Sequence, residues 1–158
     1  MAKEQAAERV DRASRVILAS PRTLFRAFVD PEMLASWRAP EGMTARVEGM
    51  EPRVGGGYRI VLTYAEGSSA RGKSSAHEDV AEVRFVELMP EERIVEAVRF
   101  VSDDPAHAGT MHLTTSFDAV ADGTKVTMAA TGVPLVIAPE DHQSGMASSL
   151  RNLALLTE

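Results

Sequence analysis

The sequence predicts an α+β fold, in which an antiparallel sheet of about six strands is covered by one long C-terminal helix. Between residues 44 and 131, apolar and polar side chains mostly alternate with a period of two, which is typical of strands. Short turns separate these segments, and short turns join antiparallel neighbours. Helical spacing occurs only between residues 21 and 37 and in the last segment. That last segment is the one long helix available to cover the apolar face.

The chain before the sheet predicts one strand and two short helices. The segment 12–19 is rich in strand-forming residues and ends at Ser20-Pro21. Ser20 is a candidate N-cap with Pro21 at the first helical position. Asp30-Pro31 ends this helix and begins the next, because the residue before a proline disfavours helical geometry.

The alternating segments and the turns between them predict the sheet and the start of the last helix. Strands are predicted at 44–49, 58–64, 80–88, 93–101 and 111–117, with another around 126–130. Met89-Pro90-Glu91-Glu92 indicates a tight turn, and Asp122-Gly123 is a strong hairpin signal. Pro139 suits the first position of the final helix. Gly55-Gly56-Gly57 favours a bulge or tight turn between strands.

The composition predicts one globular domain. We expect residues 1–10 to form a flexible lead-in and residues 11–158 to form a single domain, because 158 residues suit one core. The net charge of −6 and the scattered lysines and arginines argue against nucleic-acid binding. The absence of cysteine excludes a disulfide scaffold, a thiolate nucleophile and a cysteine zinc site. With no secretory leader and no apolar run of about 20 residues, we expect a cytoplasmic protein without a membrane association.

Several strings of the sequence resemble a known family. They are Ala19–Phe28, Asp30–Trp37, Arg53–Arg59, Phe85–Val95 and the segment from Asp141 to Ala154. Together they resemble the SRPBCC (START-like) superfamily, and within it the branch of heat-shock-protein-90 ATPase activator homologues. The resemblance implies a helix-grip fold, in which a curved sheet of six to seven strands wraps around the C-terminal helix and leaves a cavity. Many members carry a tryptophan early in this helix, where Gly145-Met146 stands here, so more room is expected.

The resemblance and the apolar pattern together suggest a binding protein for a small apolar or amphipathic molecule. Methionine side chains are adaptable, so Met111, Met128 and Met146 suit either a pocket wall or simple filling of a core. Tyr58, Thr115 and Thr131 are candidates to anchor water if they face inward. The predicted ligand-binding walls are Trp37, Phe85, Met111, Leu113, Phe117, Met128, Met146 and Leu150. We assign no catalytic residue, no metal ligand and no cofactor.

Other functions remain open. The resembled branch includes chaperone cofactors, so a chaperone partner is one alternative, and a cyclase-like or hydrolytic enzyme is another. An enzyme would need an inward polar residue, such as His112 if its strand were reversed. We expect Met111 and Leu113 to face inward and His112 to face solvent. His142 is expected at the surface, and a homodimer is an open prospect.

The string Gly67–Ser74 matches the P-loop pattern G-x-x-x-x-G-K-[ST]. A phosphate-binding loop of this kind requires a preceding strand, a following helix and a parallel sheet. A strand precedes it, but the following segment favours a strand, and no apolar strand ends in a suitable aspartate. We therefore predict a small-residue hairpin loop instead of a nucleotide site.

Overall fold

The computed structural model describes residues 8–65 and 77–158. Its elements are β1 (Asp11–Ile17), α1 (Pro21–Val29), α2 (Pro31–Trp37), β2 (Met43–Glu48), β3 (Gly57–Tyr64), β4 (Glu78–Met89), β5 (Arg93–Phe100), a short 3₁₀ turn (Pro105–His107), β6 (Met111–Val120), β7 (Gly123–Thr131) and α3 (Pro139–Thr157). The strands form one antiparallel sheet in the order β1-β7-β6-β5-β4-β3-β2. The predicted α+β class and element order are confirmed. The predicted Gly67–Ser74 loop lies outside the described residues.

The first short helix begins at the predicted cap Ser20, and the second begins at the predicted boundary Asp30-Pro31, where Asp30 is also a cap. Ser20 Oγ accepts the Thr23 backbone N–H at 3.1 Å. Asp30 Oδ1 accepts the backbone N–H groups of Glu32 and Met33 at 3.0 and 3.1 Å. Each cap satisfies N–H groups that the first helical turn leaves unbonded. Because β1 and β2 lie at opposite edges of the sheet, α1 and α2 carry the chain from one edge to the other.

An aromatic cluster fills the part of the core beneath α1 and α2. Phe28 lies with its ring centroid 4.7 Å from that of Trp37 and 5.4 Å from that of Phe117. The indole Nε1–H of Trp37 donates to the Ala27 carbonyl at 2.9 Å, so its polar atom is satisfied inside the core. Phe28 and Trp37 are fully buried. We call this cluster of Phe28, Trp37 and Phe117 the packed end.

Helix α3 packs mainly against the edge strand β1 and against α2 and α1. It buries Met146, Leu150 and Leu153 on one side. The sequence predicted a helix that covers the apolar face of the sheet, and α3 occupies that position. Its N-terminal half is separated from the middle strands by the pocket described below. No helix within the described ranges has the length and apolarity needed to cross a membrane.

The glycine triplet forms a close connection between β2 and β3, as its position predicted. The Gly55 N–H donates to the Phe85 carbonyl at 2.9 Å, and the Phe85 N–H donates to the Gly56 carbonyl at 2.8 Å. A Cβ atom at Gly57 would collide with the Val83 carbonyl oxygen. The backbone of this turn therefore approaches β4 more closely than a larger residue would allow.

Candidate functional site

A pocket of about 590 Å³ lies between the N-terminal half of α3 and the inner face of the sheet. This volume falls within the range of roughly 300–1,000 Å³ that is usual for small-molecule sites. Glu41, Asp141 and Ser144 line the pocket and are exposed, so they mark its mouth. Much of the wall is apolar and includes Ile60, Leu62, Val98, Phe100, Met111 and Met128.

The structure divides the eight predicted wall residues into two groups. All eight are buried. The pocket is lined by Met111, Leu113, Met128 and Met146. The other four predicted wall residues lie in the core and are absent from the pocket lining within the described part of the chain: Trp37, Phe85, Phe117 and Leu150. The pocket occupies only part of the inner face, because the rings of α1 and α2 fill the rest. Ligand binding by any of the eight stays a prediction.

A buried carboxylate lies beneath one end of the pocket. Glu96 shares the inner face of β5 with Ile94 and Val98 and is fully buried. The Tyr58 hydroxyl donates to Glu96 Oε2 at 2.5 Å. Arg38 Nη2 lies 3.4 Å from Glu96 Oε1, and Arg38 Nη1 lies 3.4 Å from the Tyr58 hydroxyl. We call Arg38, Tyr58 and Glu96 the polar trio; Arg38 and Tyr58 also line the pocket.

The electrostatics of the polar trio keep Tyr58 protonated and Arg38 charged. Burial raises the pKa of Tyr58 well above its ordinary value, and the Glu96 charge raises it further although Arg38 opposes the shift. Burial opposes the charge of Arg38, but the neighbouring oxygens of Tyr58 and Glu96 outweigh it and raise the pKa of Arg38. Tyr58 thus donates its proton to a hydrogen bond instead of losing it.

Side chains of α3 hold the backbone that carries Arg38. Ser149 Oγ donates to the Arg38 carbonyl at 2.7 Å, and Asn152 Nδ2 donates to the Ala39 carbonyl at 2.8 Å. The Glu41 N–H donates to Ser148 Oγ at 2.8 Å. These bonds fasten the connection between α2 and β2 to the helix that forms the opposite wall.

The guanidinium of Arg38 is positioned from inside the core as well. Its Cζ atom lies 5.4 Å from the ring centroid of Trp37, within the range of a cation–π contact. The Arg38 side chain is 14% exposed, so it is largely desolvated. The positive charge of Arg38 therefore lies against the ring of Trp37, the last residue of α2.

A second polar pair lines the pocket on β3 and β4. The Tyr64 hydroxyl donates to Asp79 Oδ2 at 3.2 Å. Asp79 is buried, with 5% of its surface exposed. Burial raises the pKa of Tyr64, and the Asp79 charge adds to this effect. The pocket wall therefore includes the buried carboxylate of Asp79 in addition to the exposed carboxylates of Glu41 and Asp141 at the mouth.

His142 is half-buried, whereas the sequence analysis predicted a surface residue. Its side chain is 19% exposed, lines the pocket and places Nδ1 2.8 Å from Asp11 Oδ2. Asp11 is also held by Arg9, whose guanidinium donates to both carboxylate oxygens at 2.9 and 2.8 Å. Arg9 also donates to the Ile137 carbonyl at 2.6 Å. A buried partner 131 positions away in the chain explains the error, since the helical pattern alone gave no sign of it.

The other predicted polar residues have varied surroundings. His112 is exposed between inward-facing Met111 and Leu113, which confirms the expected register and removes the reversed-strand enzyme hypothesis. Thr115 Oγ1 is buried and has no hydrogen-bond partner within the described part of the chain. Thr131 is half-buried.

Over the same described ranges, no group of three or more acidic or histidine side chains is arranged to hold a metal ion.

The sequence analysis missed Arg38 and Glu96. A signal for Glu96 was present, because Ile94, Glu96 and Val98 alternate in phase and therefore share one face of a strand. No comparable signal marked Arg38, whose side chain follows the last residue of α2. The contact between Arg38 and Glu96 joins residues 58 positions apart.

Solved structures of other proteins share the fold of this chain. Protein CV1439 from Chromobacterium violaceum is 33% identical, with a TM-score of 0.83 over 94% of this chain and 96% of that chain. A Rhodobacter sphaeroides protein is 22% identical, with a TM-score of 0.75 over 97% and 93% of the two chains. Protein Ms6760 from Mycobacterium smegmatis, 15% identical, has a TM-score of 0.74 over 98% and 93%. No curated protein matches significantly.

The family model described as "Activator of Hsp90 ATPase homolog 1-like protein" matches residues 18–158. That range begins just after β1 and includes both short helices, the pocket walls and α3. The helix-grip arrangement and the SRPBCC resemblance are both confirmed. The chain belongs to the Activator of Hsp90 ATPase homolog 1-like family.

Proposed function

We propose that this protein binds a small apolar or amphipathic molecule in the pocket beneath α3. The observation that carries the proposal is a pocket of about 590 Å³ with a largely apolar wall and the polar trio at one end. Walls of this kind bind the apolar body of a ligand, and a few placed polar groups orient it. The proposal assigns no reaction to the protein.

The energetics of the pocket favour an occupant. A dry apolar void of this volume would cost about 14 kcal/mol at roughly 24 cal/mol per Å³. That figure is comparable with the whole stability of a domain, about 5–15 kcal/mol. Water can enter through the exposed mouth, and a ligand that displaces this water from an apolar wall gains free energy. Met111, Met128 and Met146 would adapt the wall to its shape.

Native mass spectrometry of the purified protein, followed by denaturing extraction, tests this proposal. A reproducible non-covalent mass is the expected result, and the extract identifies its chemical class. Gly145→Trp places a large ring in the pocket and is expected to abolish the additional mass. Ala147→Trp, on the exposed side of α3, is the matched control and should retain it. A bare chain that also binds no apolar probe would contradict the proposal.

A chaperone-cofactor role is a second candidate, supported by the family description and by exposed leucines. Leu155 is 73% exposed and Leu18 is 59% exposed. Both lie at the same end of the molecule, because the Leu18 N–H donates to the carboxylate of Glu158 at 3.1 Å. Binding of a purified Hsp90-type chaperone, lost in Leu18→Ser with Leu155→Ser, would favour this role. No binding by the unmodified protein would remove it.

The compartment and the oligomeric state are also proposals. A chain without cysteine suits a reducing compartment, and we propose the cytoplasm. A homodimer is the simplest symmetric assembly. The native mass spectrum that tests ligand binding gives the oligomeric mass directly.

A further inference from the structure

Arg38 has more hydrogen-bond donors than the described residues satisfy. A guanidinium carries five N–H groups in a fixed planar fork. The side-chain contacts of Arg38 reach Tyr58 and Glu96, both at 3.4 Å, whereas good N–H···O bonds span about 2.7–3.2 Å. Even if both contacts are counted, three N–H groups lack an acceptor within the described ranges. These N–H groups lie on the pocket wall, where water satisfies them until a ligand acceptor takes its place.

The polar trio also limits the charge of that ligand atom. Glu96 already opposes the charge of Arg38 from behind, as an ion pair at 3.4 Å. Arg38 is the only lysine or arginine among the described lining residues, whereas Glu41, Asp79 and Asp141 contribute acidic groups. An anionic head group would bring a further negative charge into this acidic surrounding. A neutral oxygen acceptor would use the free donors without that repulsion.

A cationic head group is disfavoured at the same end for the opposite reason. It would have to approach the guanidinium of Arg38 in a largely desolvated site, where like charges repel more strongly than in water. The Tyr58 hydroxyl offers it little, because its proton is committed to Glu96 and its oxygen already faces Arg38.

We infer that the pocket binds an apolar molecule that carries a neutral oxygen acceptor, such as a ketone or ester carbonyl, and that Arg38 donates to this oxygen. The inference rests on the proposed function and names the ligand class of the same pocket. Arg38 is thereby a specificity-determining residue, and Glu96 is the residue that keeps the site selective for neutral heads.

Four probes with one apolar body test this inference: acetylnaphthalene, ethylnaphthalene, naphthoate and naphthylmethylammonium. Their affinities for the full-length protein are measured by calorimetry or by NMR titration. Acetylnaphthalene is expected to bind roughly tenfold more tightly than ethylnaphthalene, as expected for one hydrogen bond from a charged donor. Equal affinities of these two probes, or tightest binding of either charged probe, would overturn the inference.

Variants of the polar trio give a second, independent readout. Arg38→Met combined with Glu96→Gln removes both buried charges, so no unpaired charge remains, and the amide introduced by Glu96→Gln would still offer Tyr58 an acceptor. The acetyl-to-ethyl preference should then fall to within about twofold, because no charged donor is left to distinguish the two probes. Thr115→Val, which alters the inner face outside the described lining, is the control and should keep the preference. A preference that survives in the double variant would overturn the inference.

Glu96→Gln alone keeps the test decisive if the double variant does not fold. It leaves the charge of Arg38 unopposed, so the affinity for naphthoate should rise roughly tenfold relative to acetylnaphthalene. An unchanged ratio would overturn the role given to Glu96. The two proposals fail differently: no binding of ethylnaphthalene contradicts ligand binding itself, whereas equal binding of the acetyl and ethyl probes contradicts only the role of Arg38.

Discussion

At the packed end of the inner face, Phe28, Trp37 and Phe117 lie ring against ring, whereas at the other end Met111 and Met128 border a pocket of about 590 Å³. Both ends are made by the same alternation of apolar and polar residues along the strands. The difference lies in what covers them. Two short helices supply aromatic rings to one end, and the N-terminal half of α3 stands away from the other.

The same contrast separates two adjacent residues. Trp37 is fully buried and its single N–H group has an acceptor at 2.9 Å. Arg38 follows it in the chain, and its side-chain contacts are both 3.4 Å long. A satisfied polar atom belongs to a core, whereas an unsatisfied group on a pocket wall suits a binding site. The border between the two ends therefore lies between positions 37 and 38.

Truncation of a large side chain at each end gives the largest expected difference. Phe28→Ala should lower the free energy of unfolding by about 3–5 kcal/mol, because it opens a cavity among tightly packed rings. Met111→Ala should cost no more than about 2 kcal/mol, since its side chain borders space that water can already enter. Urea unfolding of both variants measures this. Equal costs would show that the two ends do not differ in packing.

Asp11 contacts the pocket residue His142, and its contribution to the free energy of unfolding is expected to depend on pH. Hydrogen bonds from Arg9 lower the pKa of Asp11, with His142 adding to the effect although burial opposes it. A carboxylate with a lowered folded-state pKa stabilises the protein above its unfolded pKa, about 3.9, and this contribution is lost as the pH falls through the folded value. Asp11→Asn should therefore cost about 2 kcal/mol at pH 7 and progressively less below about pH 4.

Urea unfolding of the Asp11→Asn variant across this pH range, with the exposed Asp118→Asn as control, measures the effect. A penalty that stays the same at low pH would argue that the ionised carboxylate of Asp11 contributes nothing. The packed end offers no comparable titration, because the cluster of Phe28, Trp37 and Phe117 contains no ionisable side chain.

The smallest expected effect is at Gly145, and its sign is opposite to that of the larger effect expected at Gly57. Gly145 lies inside α3, and a Cβ atom there would come no closer than 4.0 Å to Pro40. Gly145→Ala should therefore raise the free energy of unfolding by about 0.5–1 kcal/mol, because alanine favours helices more than glycine does. Gly57→Ala should destabilise the protein, since its Cβ would meet the Val83 carbonyl. Thermal unfolding compares them, and a destabilised Gly145→Ala would contradict an open pocket at this position.

Local signals predicted the fold well. The caps at Ser20 and Asp30 and the hairpin at Asp122-Gly123 depend on residues within a few positions of one another. Alternation along β6 also fixed the direction of His112, because Met111 and Leu113 needed burial. These features follow from chain-local physical chemistry, which the sequence displays directly.

The candidate site was harder to predict, because its contacts join distant positions. Glu96 was in phase with Ile94 and Val98, yet carboxylates are rarely buried, and only its partners just after α2 and on β3 make burial tolerable. Asp11 and His142 meet across 131 positions. The predicted walls included Trp37 and Phe117 because apolar periodicity identifies the inner face, but it cannot show which part of that face is filled.

The hydrogen bonds from α3 to the segment after α2 have a consequence for evolution. Ser149 and Asn152 donate to main-chain carbonyls at positions 38 and 39, so they hold the backbone whatever side chain position 38 carries. A substitution at position 38 can therefore change the head group that is recognised while the surrounding scaffold is inherited intact. One fold could in this way diversify its cargo by single steps, with the neighbouring aromatic core preserving the stability on which such changes depend.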